Sequence, residues 1–459
     1  MKRIIVVGAG LAGSEAALTA ARLGAQVTLI DMKPGQRTPA HHCSSFAELV
    51  CSNSLKSNRP DTAQGLLKEE LRALGCELLE IANSTSVAAG GALAVDRVLF
   101  SCAVTHRITG NPAIQVVEKE ISSLESLLDD DSVVIVATGP LTSGGLYNSI
   151  QDFTGGEGLH FFDAAAPVID VSSIDMTCAF RASRYDKGGP DYINCPLNKE
   201  EYIAFREALI NAQTAPVKDF DEIYFKDCQP IEVLASRGED TMRFGPLRPV
   251  GLNDPVTGKR PYACLQLRKE DLAGTMHSPV GFQTRLTFPE QRRVFGLIPA
   301  LKDAVYYRYG VMHRNSFLNG PLVFKTGFRS QSDDRLYFAG QLSGLEGYVE
   351  AIASGLVSAL QAVAQAKGFC ETWMDYLIPS EKTMIGALAS WVSNANCESF
   401  QPMNANFGLL PIDQQERKIR KQERSELRVA ASAIAIAKTA MAVEDLLLSE
   451  SPDDRRLRG

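Results

Sequence analysis

Residues 4–7 form an unbroken apolar run, Ile-Ile-Val-Val, that leads straight into Gly8, Gly10 and Gly13. So short an apolar run closed by glycine predicts a buried parallel strand. Over residues 11–23 the pattern shifts to small apolar positions, Ala12, Ala16, Ala17 and Ala20, which predict a closely packing helix stopped by Gly24. A second strand is predicted over 26–30, ending at Asp31. Polar residues dominate 34–60, a loop dense in His, Ser, Asn and Cys, and a Leu- and Glu-rich helix is predicted over 64–74. Residues 133–136 are again apolar and run into Ala137-Thr138-Gly139-Pro140. From about 160 to 320, aromatic and turn residues such as Tyr185, Tyr192, Pro196, Pro230 and Pro246 predict a mixed α+β insert rather than repeated βαβ units. A core strand follows at 336–338 and a helix at 349–366, then a largely helical stretch and a charged tail, 449–459.

The opening elements carry chemistry. In strand–glycine–helix order, Gly8 allows the tight turn, Gly10 lets backbone approach a pyrophosphate, and Gly13 lets the helix lie close to the strand. Ala9, Leu11 and Ala12 fill the same turn, at the anion-binding end of the helix. Asp31, about 20 positions on, is placed to accept hydrogen bonds from a ribose. Far downstream a second glycine-rich segment, AGQLSGLEGYVEAIASG (residues 339–355), contributes Gly340, Gln341 and Gly347. With Thr138 and Gly139 it is placed to close over the same cofactor, as in large FAD-binding domains. The expected fold is α/β: a Rossmann-like FAD-binding domain of glutathione-reductase type, an inserted α+β domain and a helical C-terminal segment. Residues 1–160 form the first part of the FAD-binding domain and 161–320 the insert that carries substrate. Residues 321–448 supply the closing part with the C-terminal helices, and 449–459 a flexible tail.

Length and composition bound this picture. The 459 residues suffice for two to three domains, and 45% hydrophobic with 22% charged residues is ordinary for a soluble globular protein. A net charge of −7 rules out a protein-wide cationic field, so any nucleic-acid surface must be local. Ten cysteines at scattered spacings, with no CxxC pair and no secretory signal, read as reduced thiols in the cytoplasm. The longest apolar stretch, 429–443, carries Lys438 and is too short to span a membrane. Cys76, Cys102, Cys178 and Cys264 have apolar or strand-like neighbours and read as small core residues. Cys43 and Cys51 share a loop with His41 and His42, but no second ligand pair stands at metal spacing, so no metal is expected. Cys51 sits among hydroxyl and amide donors with Lys56 nearby; Cys228 precedes Gln229-Pro230 and follows Lys226-Asp227. Both surroundings suit either a stabilised thiolate or an ordinary part-buried thiol.

Longer strings narrow the choice. HCSSFAELVCSNSLKS (42–57), AAGGALAVDR (88–97), SRYDKGGPDYINCPLNKEEY (183–202), DCQPIEVLASRGEDTMRFGPLRPVGL (227–252), RYGVMHRNSF (308–317) and AGQLSGLEGYVEA (339–351) resemble the folate- and FAD-dependent tRNA uracil-5-methyltransferases. The resemblance is colinear from residue 1 to about 410. The glycine segments also resemble the larger flavoproteins that modify the tRNA wobble uridine, which carry an additional C-terminal helical domain.

The resemblance implies a reaction: NAD(P)H reduces FAD, and a one-carbon unit from methylenetetrahydrofolate is delivered as methyl to C5 of the T-loop uridine of tRNA. Uracil C5 is a poor nucleophile until a thiolate adds at C6, and C5 must afterwards lose its proton to a base. The resemblance assigns these tasks to two cysteines, Cys228 as the uracil nucleophile and Cys51 as its partner near the flavin, with their order interchangeable. It places Tyr348 on the flavin or the pterin. His313-Arg314-Asn315 are expected as a compact donor cluster for folate or flavin, and Arg181, Arg184, Lys187, Arg292 and Arg293 as contacts to RNA phosphates. Gln229, Lys226-Asp227 and His277-Ser278-Pro279 depart from the family pattern, which keeps ribosomal RNA open as the target. A flavin reductase or disulfide oxidoreductase would carry a second nucleotide motif or a CxxC pair, and neither is present. A non-catalytic scaffold would have no use for two cysteines in polar loops. Oligomeric state is not legible, and no membrane partner is expected.

Overall fold

The computed structural model describes residues 1–38, 40–155, 158–186, 189–215, 229–411, 419 and 421–449; within these, the side chains of 158, 160–163, 186, 313, 314, 421 and 422 are excepted. The predicted tail beyond 449 and Cys228 lie outside the described residues.

Five parallel strands make the central sheet, in the order Leu336–Phe338, Ser132–Val136, Arg3–Val7, Val27–Asp31, Ile114–Glu118. The strands Leu336–Phe338, Ser132–Val136 and Arg3–Val7 are buried on both faces and accordingly read as nearly continuous apolar runs, whereas the edge strand Ile114–Glu118 is partly exposed. The first helix, Leu11–Arg22, is followed directly by the second strand. Its small residues serve contact with helix Tyr348–Ala366: a Cβ on Gly355 would lie 2.1 Å from the Ala12 carbonyl oxygen. The two glycine segments, far apart in sequence, are thereby packed helix to helix. Tyr348–Ala366 is long and apolar enough to cross a membrane, but it runs through the protein interior.

A second sheet has six strands in the order Phe180–Ala182, Tyr192–Leu197, Ala263–Lys269, Met276–Pro279, Val168–Asp170, Tyr306–Arg308. All its pairings are antiparallel. It has its own core, where Tyr202, Phe205, Phe282 and Phe295 pack against Ile193, Leu265 and Leu267. Strands Gly158–Ala164 and Met312–Leu318, paired antiparallel, carry the chain into and out of this part. The loop predicted over 34–60 contains one strand, Ser54–Ser57, which joins a three-stranded sheet with Ser86–Val87 and Ala92–Val95.

Buried carboxylates tie the helices together. Glu15 accepts the free amides of Glu77 (3.2 Å) and Leu78 (2.9 Å) at the start of helix Glu77–Ser84. Glu70, on helix Ala63–Ala73, takes the Met384 amide (2.7 Å), the Ile385 amide (2.9 Å) and the Ser432 hydroxyl (2.5 Å), joining three helices. Burial pushes the Glu70 carboxyl up to about 7. Because the folded value exceeds the unfolded one of about 4.3, its stabilising contribution is complete below the unfolded value. It is lost as pH rises through the folded one. The melting-temperature advantage of wild type over Glu70→Gln is therefore expected to shrink between about pH 5 and pH 8. A pH-independent difference in thermal unfolding would contradict this.

Candidate active site

A cleft of about 410 Å³ opens above the ends of the parallel strands, where α/β folds place ligands. Gly8 (φ +97°) makes the turn, and Gly13 touches it so closely that a Cβ would stand 1.8 Å from the Gly8 carbonyl oxygen. A Cβ on Gly10 would meet no protein atom within 4 Å, and the same holds for Gly139. Both face the cleft beside Thr138, with the open N-terminus of helix Leu11–Arg22 at one side. This is the space a pyrophosphate needs, and the residues fit FAD. Asp31 also lines the cleft, with its two carboxylate oxygens accepting the amides of Ala9 (2.5 Å) and Lys33 (2.8 Å). It thus braces the glycine turn, a task that spacing alone did not reveal. Ala9, Leu11, Ala12, Gly340, Gln341 and Gly347 line the same cleft. The Gln341 side chain is held by the Glu346 carboxylate, and the Gly340 amide donates to Ser354 Oγ at 2.7 Å.

Cys51 stands on the cleft wall. Its loop is anchored to the glycine turn by the amide of Ala47 (φ +49°), which donates to the Ala9 carbonyl at 2.9 Å. The Tyr348 hydroxyl oxygen accepts the amides of Cys51 (2.8 Å) and Ser52 (3.1 Å) and lies 2.9 Å from Cys51 Sγ. Two amide donors occupy the lone pairs of that oxygen, so the phenolic proton is directed at the sulfur. Burial pushes the Tyr348 phenol well above its usual value, so the proton stays on the oxygen. A thiol that receives a hydrogen bond in this way is favoured as thiolate.

The far side of the loop is gripped by residues that no local pattern marks. Arg97 donates to the carbonyls of Leu49 (3.0 Å) and Val50 (3.3 Å) and pairs with Glu270 at 2.6 Å. Arg268 donates to Asn53 Oδ1 (2.8 Å) and Ser52 Oγ (3.3 Å). Burial works to raise Glu270, but Arg97 and Arg268 outweigh it and hold the carboxyl below its ordinary value. Its Oε1 also accepts the Ser278 hydroxyl. His277 beside it is wholly buried with neither ring nitrogen hydrogen-bonded, and burial pushes it down to about 4. Arg97 ends one of the family-like strings, but nothing in the sequence ties it to Glu270.

The remaining expected residues divide. His313, Arg314 and Asn315 are consecutive on strand Met312–Leu318, and of the three only the Asn315 side chain lies among the described residues. Asn315 is buried and lines the cleft. Arg184 is held by Gln266 Oε1 (2.7 Å) and the Val250 carbonyl (2.8 Å), whereas Arg181 is exposed. Lys187 lies outside the described residues. Arg292 donates to the Tyr309 hydroxyl at 2.6 Å, and Arg293 pairs with Glu290. Cys76 and Cys264 are buried as expected, but Cys102 is exposed and Cys178 half-exposed. Helix Arg97–Thr109 buries Phe100, Val104 and Ile108, which leaves Cys102 on its outer side.

Comparison with known proteins agrees with the geometry. The glucose inhibited division protein A family is matched over residues 3–370. A methylenetetrahydrofolate–tRNA-(uracil-5-)-methyltransferase TrmFO of Acetivibrio thermocellus is 50% identical over 436 residues, covering 95% of this chain and 98% of the relative. One from Listeria monocytogenes is 50% identical over 441 residues, covering 96% and 99%. Among solved structures, Aquifex aeolicus GidA aligns with a TM-score of 0.69 at 17% identity, over 98% of this chain and 76% of that one. At that identity the likeness speaks for the fold alone.

Proposed function

The chain belongs to the glucose inhibited division protein A family, among the methylenetetrahydrofolate–tRNA-(uracil-5-)-methyltransferases. From that premise we propose that it methylates C5 of the T-loop uridine of tRNA in the cytoplasm. Methylenetetrahydrofolate is the carbon donor and NAD(P)H the reductant. The two glycine segments, with Thr138 and Gly139, would hold FAD, which when bound would supply the electrons that bring the transferred carbon to methyl. The observation that carries the reading is Cys51 Sγ, 2.9 Å from the Tyr348 hydroxyl on the wall of the cofactor cleft.

The chain's own residues do the acid–base work. A thiolate must add to uracil C6, making C5 nucleophilic, and be expelled again when C5 loses its proton. We assign the addition to Cys228 and the proton removal to Cys51. Tyr348 holds Cys51 through its thiol and its amide, which fixes the thiol's direction. Tyr348→Phe is expected to lower kcat by roughly tenfold to a hundredfold, the effect of losing one well-placed hydrogen bond to a charged group. FAD content should be unchanged; loss of flavin would make Tyr348 a structural residue instead.

The substrate is tested directly. Purified flavoprotein, NADPH and methylenetetrahydrofolate should form 5-methyluridine in an unmodified tRNA transcript and none when the T-loop uridine is replaced by cytidine. Product in ribosomal RNA alone would overturn the tRNA assignment.

A further inference from the structure

Strand Tyr306–Arg308 pairs with Val168–Asp170, and its register slips between Tyr306 and Arg308. Irregularities of this kind re-aim a side chain, often beside an active site. Here the side chain is Arg308. Its Nε and Nη2 are buried and neither has a hydrogen-bond partner. Burying a guanidinium without satisfying its donors is costly, so the position requires a reason. Within electrostatic reach of Arg308 are Arg97, Glu270, Tyr348 and Cys51.

The charges around Cys51 can be followed element by element. Arg97 comes from helix Arg97–Thr109 and touches the carbonyl of Val50. Arg268 and Glu270 come from the end of strand Ala263–Lys269 and the residue after it, with Arg268 on the Ser52 hydroxyl. Arg308 comes from the edge strand, and Tyr348, neutral, from the closing helix. Lys56 lines the same cleft. Three guanidiniums thus face one carboxylate, Glu270, which already pairs with Arg97 and lies 3.8 Å from Arg268. Of the cleft's other carboxylates, Glu48 is engaged with Lys33, Glu346 with the Gln341 side chain and Glu350 with the Ala405 amide, so beside Cys51 the guanidiniums outnumber the carboxylate they share.

We propose that Arg308 is a positioning residue that keeps Cys51 as a thiolate in the resting protein, its guanidinium supplying the charge that the buried Arg97–Glu270–Arg268 group does not neutralise. The proton released goes to solvent. Cys51 is then ready as a base before substrate arrives, and Tyr348 donates its hydroxyl proton in a hydrogen bond to the anion. Arg308 acts through space on Cys51 and touches no substrate. The inference rests on reading Cys51 as a site cysteine and makes no use of the methyl transfer itself.

The test is the pH profile of Cys51 carboxamidomethylation in the full-length flavin-loaded protein, read on the Cys51 peptide by mass spectrometry. Wild type should titrate at least about one unit below the ordinary thiol value of about 8.5. Arg308→Gln should move the midpoint up by about one unit, a tenfold loss of thiolate at neutral pH, and Arg308→Lys should restore most of it. A wild-type midpoint at the ordinary value overturns the proposal. So does an unchanged profile in Arg308→Gln with flavin still bound, or failure of both variants to fold, which would make Arg308 structural. A thiolate found as expected in a protein that makes no 5-methyluridine would sink the proposed function and leave this inference standing.

Discussion

Cys51→Ala and Cys228→Ala are each expected to bind FAD normally, turn yellow, and form no measurable 5-methyluridine. Removal of a positioned general base lowers a rate by roughly a hundred- to ten-thousandfold, and removal of a covalent nucleophile by more. For Cys51 the structure explains why flavin should survive. Alanine keeps the amide that donates to the Tyr348 hydroxyl, and Ser52 keeps the second. Arg97 binds the carbonyls of Leu49 and Val50, which the substitution leaves in place. The loop therefore stays in place while the thiol is gone. The check is product per flavin in a single turnover. Apoprotein from Cys51→Ala would mean the thiol is part of the fold, and full activity would remove it from the chemistry. For Cys228 the same pair of outcomes applies, and the two variants should differ mechanistically. Only a protein retaining the nucleophile should form a covalent adduct with 5-fluorouridine-substituted tRNA, and Cys51→Ala should form it while Cys228→Ala should not. The reverse pattern would exchange their assignments.

Two glycines three residues apart, Gly10 and Gly13, should fail in opposite ways. Gly13→Val places carbon 1.8 Å from the Gly8 carbonyl oxygen, and both are backbone positions that cannot step aside. The first helix would have to leave the sheet, with a loss of stability of more than about 3 kcal/mol and of all bound flavin. Gly10→Ala meets no protein atom within 4 Å, so it should fold with an unchanged melting temperature. Its methyl would instead enter the space proposed for the pyrophosphate and weaken FAD binding. Thermal unfolding of the apoproteins, beside flavin titration, separates the two. Equal destabilisation by both substitutions would contradict the assignment of that space to ligand.

What was legible in the chain was whatever is local. The strand Leu336–Phe338 and the helices Leu11–Arg22 and Tyr348–Ala366 follow from apolar runs, glycines and alanine spacing, because these forces act between near neighbours. The mixed character of the middle of the chain was visible in its aromatics and prolines, but its six-stranded order was not. Strand Val168–Asp170 pairs with residues more than a hundred positions on, and register of that kind leaves no local trace. The site shows the same division. Cys51 and Tyr348 stand out through their strings, whereas Arg97, Arg268 and Glu270 read as scattered charges until the fold assembles them. The one-sided burial of helix Arg97–Thr109 exposed Cys102, which its apolar neighbours in sequence did not foretell.

The central claim is carbon transfer to uracil, and isotope follows carbon. Wild-type protein supplied with NADPH, tRNA transcript and methylenetetrahydrofolate bearing a ¹³C-labelled methylene should yield 5-methyluridine carrying the label in its methyl group. Unlabelled product, or NADPH oxidation with no 5-methyluridine at all, would contradict the account.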